Sequence, residues 1–309
     1  MTTGWVFDCK RFSIHDGRGL RSTLFLKGCP LRCPWCHNPE GMVPGQKLLH
    51  SGARCIGCGT CLRACPESAL SAGSSDRDIL IDPGRCTRCG RCTDACPTGA
   101  LAFDAREMTS GQAIEELLRD QTFFDVSSGG VTLSGGEPLL QPEFAVEVLD
   151  GCRRKGAGTA IETSLAAPLR HVEAMARVTD EVFVDIKLAD ARRHREVLGW
   201  QLEPILQNLR HLIQARATVV VRIPLIPGFT ATESNLQGIG QIVAGLEPQP
   251  PVELLNFNPF AEAKYRRLGR TWAFPEGSRR YSVQELEGFS QVLRSAGVER
   301  VLDEHGEPG

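Results

Sequence analysis

The chain has 309 residues, 41% of them hydrophobic and 23% charged, with a formal net charge of −2. That length holds roughly two domains, and a near-neutral balance with only short charge blocks gives no sign of a nucleic-acid partner. The most apolar run, TVVVRIPLIPG at 218–228, is interrupted by Arg222 and falls far short of the ~20 residues that span a bilayer. The N-terminal MTTGWVFDCKRF lacks the apolar stretch of a secretory signal, so a soluble cytoplasmic protein without a membrane partner is expected.

In chain order, the first predicted strand is STLFLKG at 22–28, followed by a loop with cysteines at 29, 33 and 36. An internal repeat comes next. CIGCGTCLRACPESAL starts at Cys55 and CTRCGRCTDACPTGAL starts at Cys86, an offset of 31 residues, with the short strand-like DILIDPG between them. Beyond residue 103 the pattern alternates. Helices are predicted at 110–120, 142–156, 169–178, 203–215, 233–246 and 283–297, and strands at 130–135, 158–164, 181–187, 218–228 and 252–260. Strands of apolar, β-branched residues alternating with helices imply parallel βαβ units. Five or six units exceed one half of a doubly wound sheet, so the fold class is α/β, a partial (β/α)6-type barrel. Its functional residues are expected at strand C-terminal ends. The predicted organisation is a core in two pieces, residues 1–50 and 104–309, with a ferredoxin-like two-cluster domain inserted at 51–103.

The thirteen cysteines are the abnormal feature, and eleven of them lie between positions 29 and 96. In a chain without an export signal they point to metal or iron–sulfur ligation rather than disulfides. Each repeat reads C-x2-C-x2-C-x3-C-P, the two-cluster ferredoxin run in which the fourth cysteine serves the other cluster. Cys55, Cys58, Cys61 and Cys96 are therefore assigned to one [4Fe–4S] cluster and Cys86, Cys89, Cys92 and Cys65 to a second, with Pro66 and Pro97 turning the chain away. C-x2-C is also a zinc spacing, but two matching four-cysteine runs favour clusters. The loop with Cys29, Cys33 and Cys36 offers only three thiolates, which leaves one iron of a cubane open, as a catalytic metal site requires. On spacing alone a zinc site completed by His37, Cys9 or Cys152 fits the loop as well. Cys9 and Cys152 otherwise read as small buried apolar residues.

C-x3-C-x2-C after a first strand, with Trp35 before the last cysteine, resembles the radical S-adenosylmethionine superfamily. The continuation HNPE, the preceding HDGRGLRSTLFLKGC and the paired ferredoxin repeats resemble one branch, the glycyl radical enzyme activating enzymes, relatives of pyruvate formate-lyase activating enzyme. The resemblance runs from Asp16 to about Gly269. It implies that the methionyl amine and carboxylate of the cosubstrate chelate the iron left open by Cys29, Cys33 and Cys36, beside Trp35 and His37. SGGEP, with Ser134, Gly135, Gly136 and Glu137, is implied to bind the methionyl amine, with Glu137 offering a carboxylate. Glu162 and Thr163 of ETS, where the family commonly has Asp, and Asp185, Ile186 and Lys187 of DIK are implied to lie along the cosubstrate. In RIPLIPG, Arg222 is expected to face the cavity and Ile226 to pack near the adenine, though either residue also suits a plain barrel strand. Asn258 stands where the family has a His. Asp16, in an HDGRG whose Arg18 replaces the family's Pro, is expected near the partner's glycine loop or in an ordinary turn.

The implied chemistry is reductive cleavage of S-adenosylmethionine to a 5′-deoxyadenosyl radical. That radical abstracts a glycine Cα hydrogen from a partner glycyl radical enzyme under anaerobic conditions. Three [4Fe–4S] clusters are implied, with flavodoxin or ferredoxin as electron donor. Two other readings stand beside it: a radical enzyme acting on a small molecule or peptide, and an iron–sulfur electron carrier. All eight repeat cysteines complete their clusters, which argues against the first. SGGEP and DIK at successive strand ends argue against the second.

Overall fold

The computed structural model describes residues 1–274 and 278–302; the remainder of the predicted 104–309 segment lies outside the described residues. Thirteen strands are present among them: β1 (Thr3–Ser13), β2 (Arg21–Leu26), β3 (Leu48–His50), β4 (Leu70–Ala72), β5 (Ile79–Ile81), β6 (Leu101–Phe103), β7 (Arg106–Thr109), β8 (Gly130–Gly135), β9 (Gly158–Thr163), β10 (Glu181–Asp185), β11 (Val219–Pro224), β12 (Val252–Leu255) and β13 (Val301–Leu302). Nine of them form one sheet in the order β13-β12-β11-β10-β9-β8-β2-β1-β7. From β2 through β13 the pairing is parallel, while β1 pairs antiparallel with both β2 and β7. The sheet is open, with β13 and β7 at its edges.

Parallel strands need crossovers, and each predicted helix supplies one. The helices are Ser110–Leu117, Pro142–Arg154, Leu169–Ala176, Leu202–Gln214, Glu233–Ala244 and Val283–Ser295. Leu149, Leu209 and Ile239 on these helices bury against Leu24, Leu133, Ile161, Val184 and Val221 of the strands, all at 0–1% exposure. Burial on both faces is why the strands read as continuous apolar runs. No helix among the described residues is long and apolar enough to cross a membrane.

Strands β1, β7 and β13 and helices Gln121–Ser127 and Ala191–Leu198 of this layer escaped the sequence reading. Every residue of β1 beyond Val6 is exposed or half-exposed, so no apolar run marks it. Helix Ala191–Leu198 buries only His194 and Leu198 among its eight residues, and its run ARRHRE is too polar to read as a core-facing helix.

Residues 48–103 form a separate small layer. β3 pairs antiparallel with β6 and β4 with β5. Short helices at Thr60–Ala64 and Arg91–Asp94 recur with the 31-residue offset of the sequence repeat. This layer has its own apolar centre of Leu48, Leu70, Ile79 and Leu101 with Cys61 and Cys92, distinct from the core of the large sheet.

Leu165, just past β9, holds a left-handed φ of 57°, an uncommon conformation for a bulky residue. Buried Asn208 donates to the Leu165 carbonyl at 3.0 Å and the Ala167 carbonyl at 2.9 Å, tying the turn to helix Leu202–Gln214. Asn208→Ala strands both acceptors and is expected to cost about 1–3 kcal/mol of stability, read by chemical denaturation; an unchanged midpoint would contradict this role.

Candidate active site

Six neighbouring strands, β2 and β8 to β12, end around one cavity of about 250 Å³. After β2 come Cys29, Leu31, Cys33, Trp35, Cys36, His37 and Asn38; β8 brings Ser134, Gly135 and Gly136; β9 brings Glu162, Thr163 and Ser164. Asp185 and Lys187 follow from β10, Pro224 and Ile226 from β11, and Leu255, Asn256 and Asn258 from β12. This is the strand-end placement that parallel α/β folds use for ligands.

The cysteine loop is held by backbone contacts that tolerate only glycine. Gly28 N donates to Gly41 O at 2.7 Å, Cys29 N to Met42 O at 3.1 Å, and Glu137 N to Gly28 O at 2.7 Å. A Cβ on Gly136 would lie 2.2 Å from Gly28 O and 2.6 Å from Gly41 O. SGGEP and the cysteine loop are thus one packed unit.

Among the described residues, no three His, Cys, Asp or Glu side chains close on a single ion; the three thiols border a shared cavity instead. Burial pushes Cys33 up to about 12 and raises Cys29 and Cys36 as well. A buried thiol with so costly an anion suits a site whose metal takes the thiolate charge. The three-thiol cavity therefore fits an iron–sulfur cluster with an open position.

The repeat cysteines fall into two further hollows. Cys65, Cys86, Cys89 and Cys92 line one, with Leu48 and Phe103. Cys55, Cys58, Cys61 and Cys96 line the other, with His50 and Leu101. The fourth cysteine of each repeat thus sits with the first three of the other. His50 Nε2 is buried without a hydrogen-bond partner, a polar atom that a group in that hollow would satisfy. Neither Cys9 nor Cys152 lines any of these three sites; Cys152 is wholly buried in the main core.

Four expected site residues take other positions. Glu137 is 0% exposed and turned away from the cavity. Its carboxylate accepts from Thr163 Oγ1 at 2.7 Å, Ser164 N at 2.8 Å, Ser164 Oγ at 2.6 Å and Leu139 N at 3.2 Å, so it staples β8 to β9 rather than meeting a ligand. Ile186 is 1% exposed in the core, because side chains alternate and Asp185 and Lys187 take the cavity side. Arg222 lies beneath the wall, stacked 3.7 Å over the Phe183 ring. It donates to Glu253 at 2.6 Å, to Glu162, and to the His15 carbonyl at 2.9 Å. Asp16 is also off the wall, accepting from Thr23 Oγ1 at 2.6 Å. Conversely, Asn38, Pro224, Leu255 and Asn256 line the cavity although the sequence reading assigned none of them a site role. Asn258 is on the wall, but its Oδ1 caps the following turn at Phe260 N, 3.0 Å away, while its carbonyl accepts from His37 Nε2 at 2.6 Å.

The charges are unbalanced toward the negative. Burial raises Glu162 to about 7, with Asp16 and Asp185 adding to the rise and Arg222 opposing it. Burial also raises Glu253 against the pull of Arg222. One guanidinium is thus shared between the buried Glu253 and the half-buried Glu162. Burial works against the Lys187 ammonium, but Asp185, 2.6 Å away, holds it protonated. The cavity accordingly favours a cationic ligand.

Comparison with known proteins agrees. Residues 83–234 match the family described as the radical SAM superfamily, and residues 54–100 match the 4Fe-4S dicluster domain. The chain is 40% identical over 302 residues to the benzylsuccinate synthase activating enzyme of Thauera aromatica, covering 95% of this chain and 90% of that one. It is 37% identical over 275 residues to the pyruvate formate-lyase 2-activating enzyme of Escherichia coli, covering 88% and 83%. To the choline trimethylamine-lyase activating enzyme of Oleidesulfovibrio alaskensis it is 35% identical over 294 residues, covering 94% of each. The chain belongs to the glycyl radical enzyme activating enzymes of the radical S-adenosylmethionine superfamily. It therefore uses an iron–sulfur cluster and S-adenosylmethionine, and its partner is a glycyl radical enzyme.

S-adenosylmethionine carries a sulfonium and an ammonium, which suits the negative wall. Glu162 must lose its proton to support that cation, so binding is expected to tighten as pH rises through about 7. Anaerobic calorimetry at a pH below and a pH above that value reads the trend. Glu162→Gln should weaken binding about tenfold above the titration and flatten the profile; a variant that keeps the wild-type profile would assign the trend elsewhere.

Proposed function

We propose that this chain cleaves S-adenosylmethionine reductively and uses the 5′-deoxyadenosyl radical to take a hydrogen atom from a glycine Cα of its partner. The observation that carries this reading is the cavity where three thiols meet Gly135, Gly136 and Lys187 at adjacent strand ends. A [4Fe–4S] cluster bound by Cys29, Cys33 and Cys36 would supply the electron that breaks the C5′–S bond.

The chain's own residues bind, orient and exclude water. Gly135 and Gly136 present bare backbone to the methionyl end, and Ser134, Glu162 and Thr163 border it. Lys187, oriented by Asp185, is a donor for the methionyl carboxylate or ribose oxygens. Trp35, Ile226 and Leu255 form the apolar wall for adenine. Arg222 acts through Glu162, whose carboxylate it fixes from below. No residue transfers a proton in this scheme: the hydrogen atom passes from Cα to C5′, leaving a glycyl radical and 5′-deoxyadenosine.

Residues 51–103 are the two-cluster insertion in this reading, which brings the number of [4Fe–4S] clusters to three. The segments 1–50 and 104–309 complete the catalytic core. A flavodoxin or ferredoxin supplies the electron, in an anaerobic cytoplasm. The asymmetry between three thiols in the core and four in each hollow supports catalysis at the first site and storage or transfer of electrons at the other two.

Anaerobic reconstitution tests the reading. The protein should hold about twelve irons per chain, and Cys33→Ala about eight. With dithionite and S-adenosylmethionine the first should form 5′-deoxyadenosine and the second none. Eight irons in both and no cleavage would leave an electron carrier.

A further inference from the structure

Lys27 is a long charged side chain that the fold buries, at 2% exposure. A buried ammonium is tolerated only where it is paired and hydrogen-bonded. Lys27 leaves β2 and immediately precedes Gly28 and Cys29. Its Nζ donates to Asp104 Oδ2 at 2.8 Å and to the Glu40 carbonyl at 2.7 Å. Glu40 closes the turn after the cysteine loop, and Asp104 is where the insertion rejoins the core. Asp104 Oδ1 also accepts from Lys47 N at 2.7 Å, and Asp104 N donates to Lys47 O at 3.0 Å. One carboxylate therefore ties both ends of the insertion to the residue two positions before Cys29.

This attachment orders the two hollows. In the β3/β6 pair, Leu48 faces Phe103 and His50 faces Leu101, and the Lys47–Asp104 contact closes the end nearest Leu48 and Phe103. Those two residues line the hollow of Cys65, Cys86, Cys89 and Cys92. His50 and Leu101, at the other end, line the hollow of Cys55, Cys58, Cys61 and Cys96. Phe103 also borders a separate cavity of about 290 Å³ with Phe7, Glu40, Asp104 and Lys264. It thus stands between the first hollow and core residues that flank the cysteine loop. The second hollow shares no lining residue with that cavity.

We infer that the buried Lys27–Asp104 pair is a positioning device that docks the insertion in one orientation, with the Cys65, Cys86, Cys89 and Cys92 hollow toward the S-adenosylmethionine site and the Cys55, Cys58, Cys61 and Cys96 hollow away from it. The inference rests on the reading that both hollows hold clusters, which the iron content of the unmodified protein tests by itself.

Electron paramagnetic resonance on the reduced, reconstituted protein with S-adenosylmethionine bound reads the arrangement, because a nearby paramagnet broadens its neighbour's signal. Cys86→Ala with Cys89→Ala empties the near hollow, and Cys55→Ala with Cys58→Ala empties the far one; each should retain about eight of about twelve irons. The near pair should abolish the broadening of the signal from the Cys29, Cys33 and Cys36 site, and the far pair should leave it intact. The reverse pattern, in variants that each retain about eight irons, overturns the orientation.

A second variant keeps the test sound where cysteine removal collapses the insertion. Lys27→Met with Asp104→Leu replaces both buried charges by apolar groups, a change that often leaves folding intact. It should keep full iron, lose the broadening, and raise amide exchange at 48–50 and 101–103 about tenfold. Wild-type broadening and exchange in that variant would overturn the role of the pair.

Discussion

Three thiols held largely out of water at one cavity are the constraint on which the rest of this structure depends. Burial makes the thiolates of Cys29, Cys33 and Cys36 costly, so their charge is sustained only when metal takes it up. The loop that carries them cannot rely on packing of long side chains. It is fixed by close backbone approach, Gly28 against Gly41 and Gly136 against both carbonyls. From this follow the glycines of SGGEP and the buried Glu137, which spends its carboxylate on Thr163 and Ser164. The neighbouring strand ends then hold their place around the cavity.

Beneath the wall lies a second layer of charge. Arg222 spans the interior, reaching Glu162 on β9, Glu253 on β12 and the His15 carbonyl of the loop before β2, over the ring of Phe183 on β10. It links the cavity wall to the loop that carries Asp16. The carboxylates outweigh the cations here, and a sulfonium-bearing cosubstrate offsets the difference. Electrostatics and the thiol geometry thus point to the same ligand by separate routes.

Much of this was legible in the sequence because periodicity and spacing report directly on it. The crossover helices and parallel strands announced themselves as alternating apolar patterns, and the crossed pairing of the repeat cysteines followed from their spacing. The three-cysteine loop was visible, but its partner atoms were not. Motif membership says nothing about which way a side chain points: Glu137 and Ile186 sit in motifs yet face away from the cavity, while Asn256 and Leu255, beside the singled-out Asn258, face it. Arg222 was placed on the right strand but one layer too high, because only the structure shows Glu162 and Glu253 competing for it. Nothing in the sequence marks Lys27, since its partners Asp104 and Glu40 lie 77 and 13 residues away.

The central claim is that the radical made in this cavity is delivered to a glycine of another protein. The most direct test labels a glycyl radical enzyme partner with deuterium at glycine Cα and follows the label under reducing, anaerobic conditions with S-adenosylmethionine. Transfer of deuterium into 5′-deoxyadenosine, together with a persistent glycyl radical signal on the partner, is the predicted result. Unlabelled 5′-deoxyadenosine with no radical on the partner would contradict it.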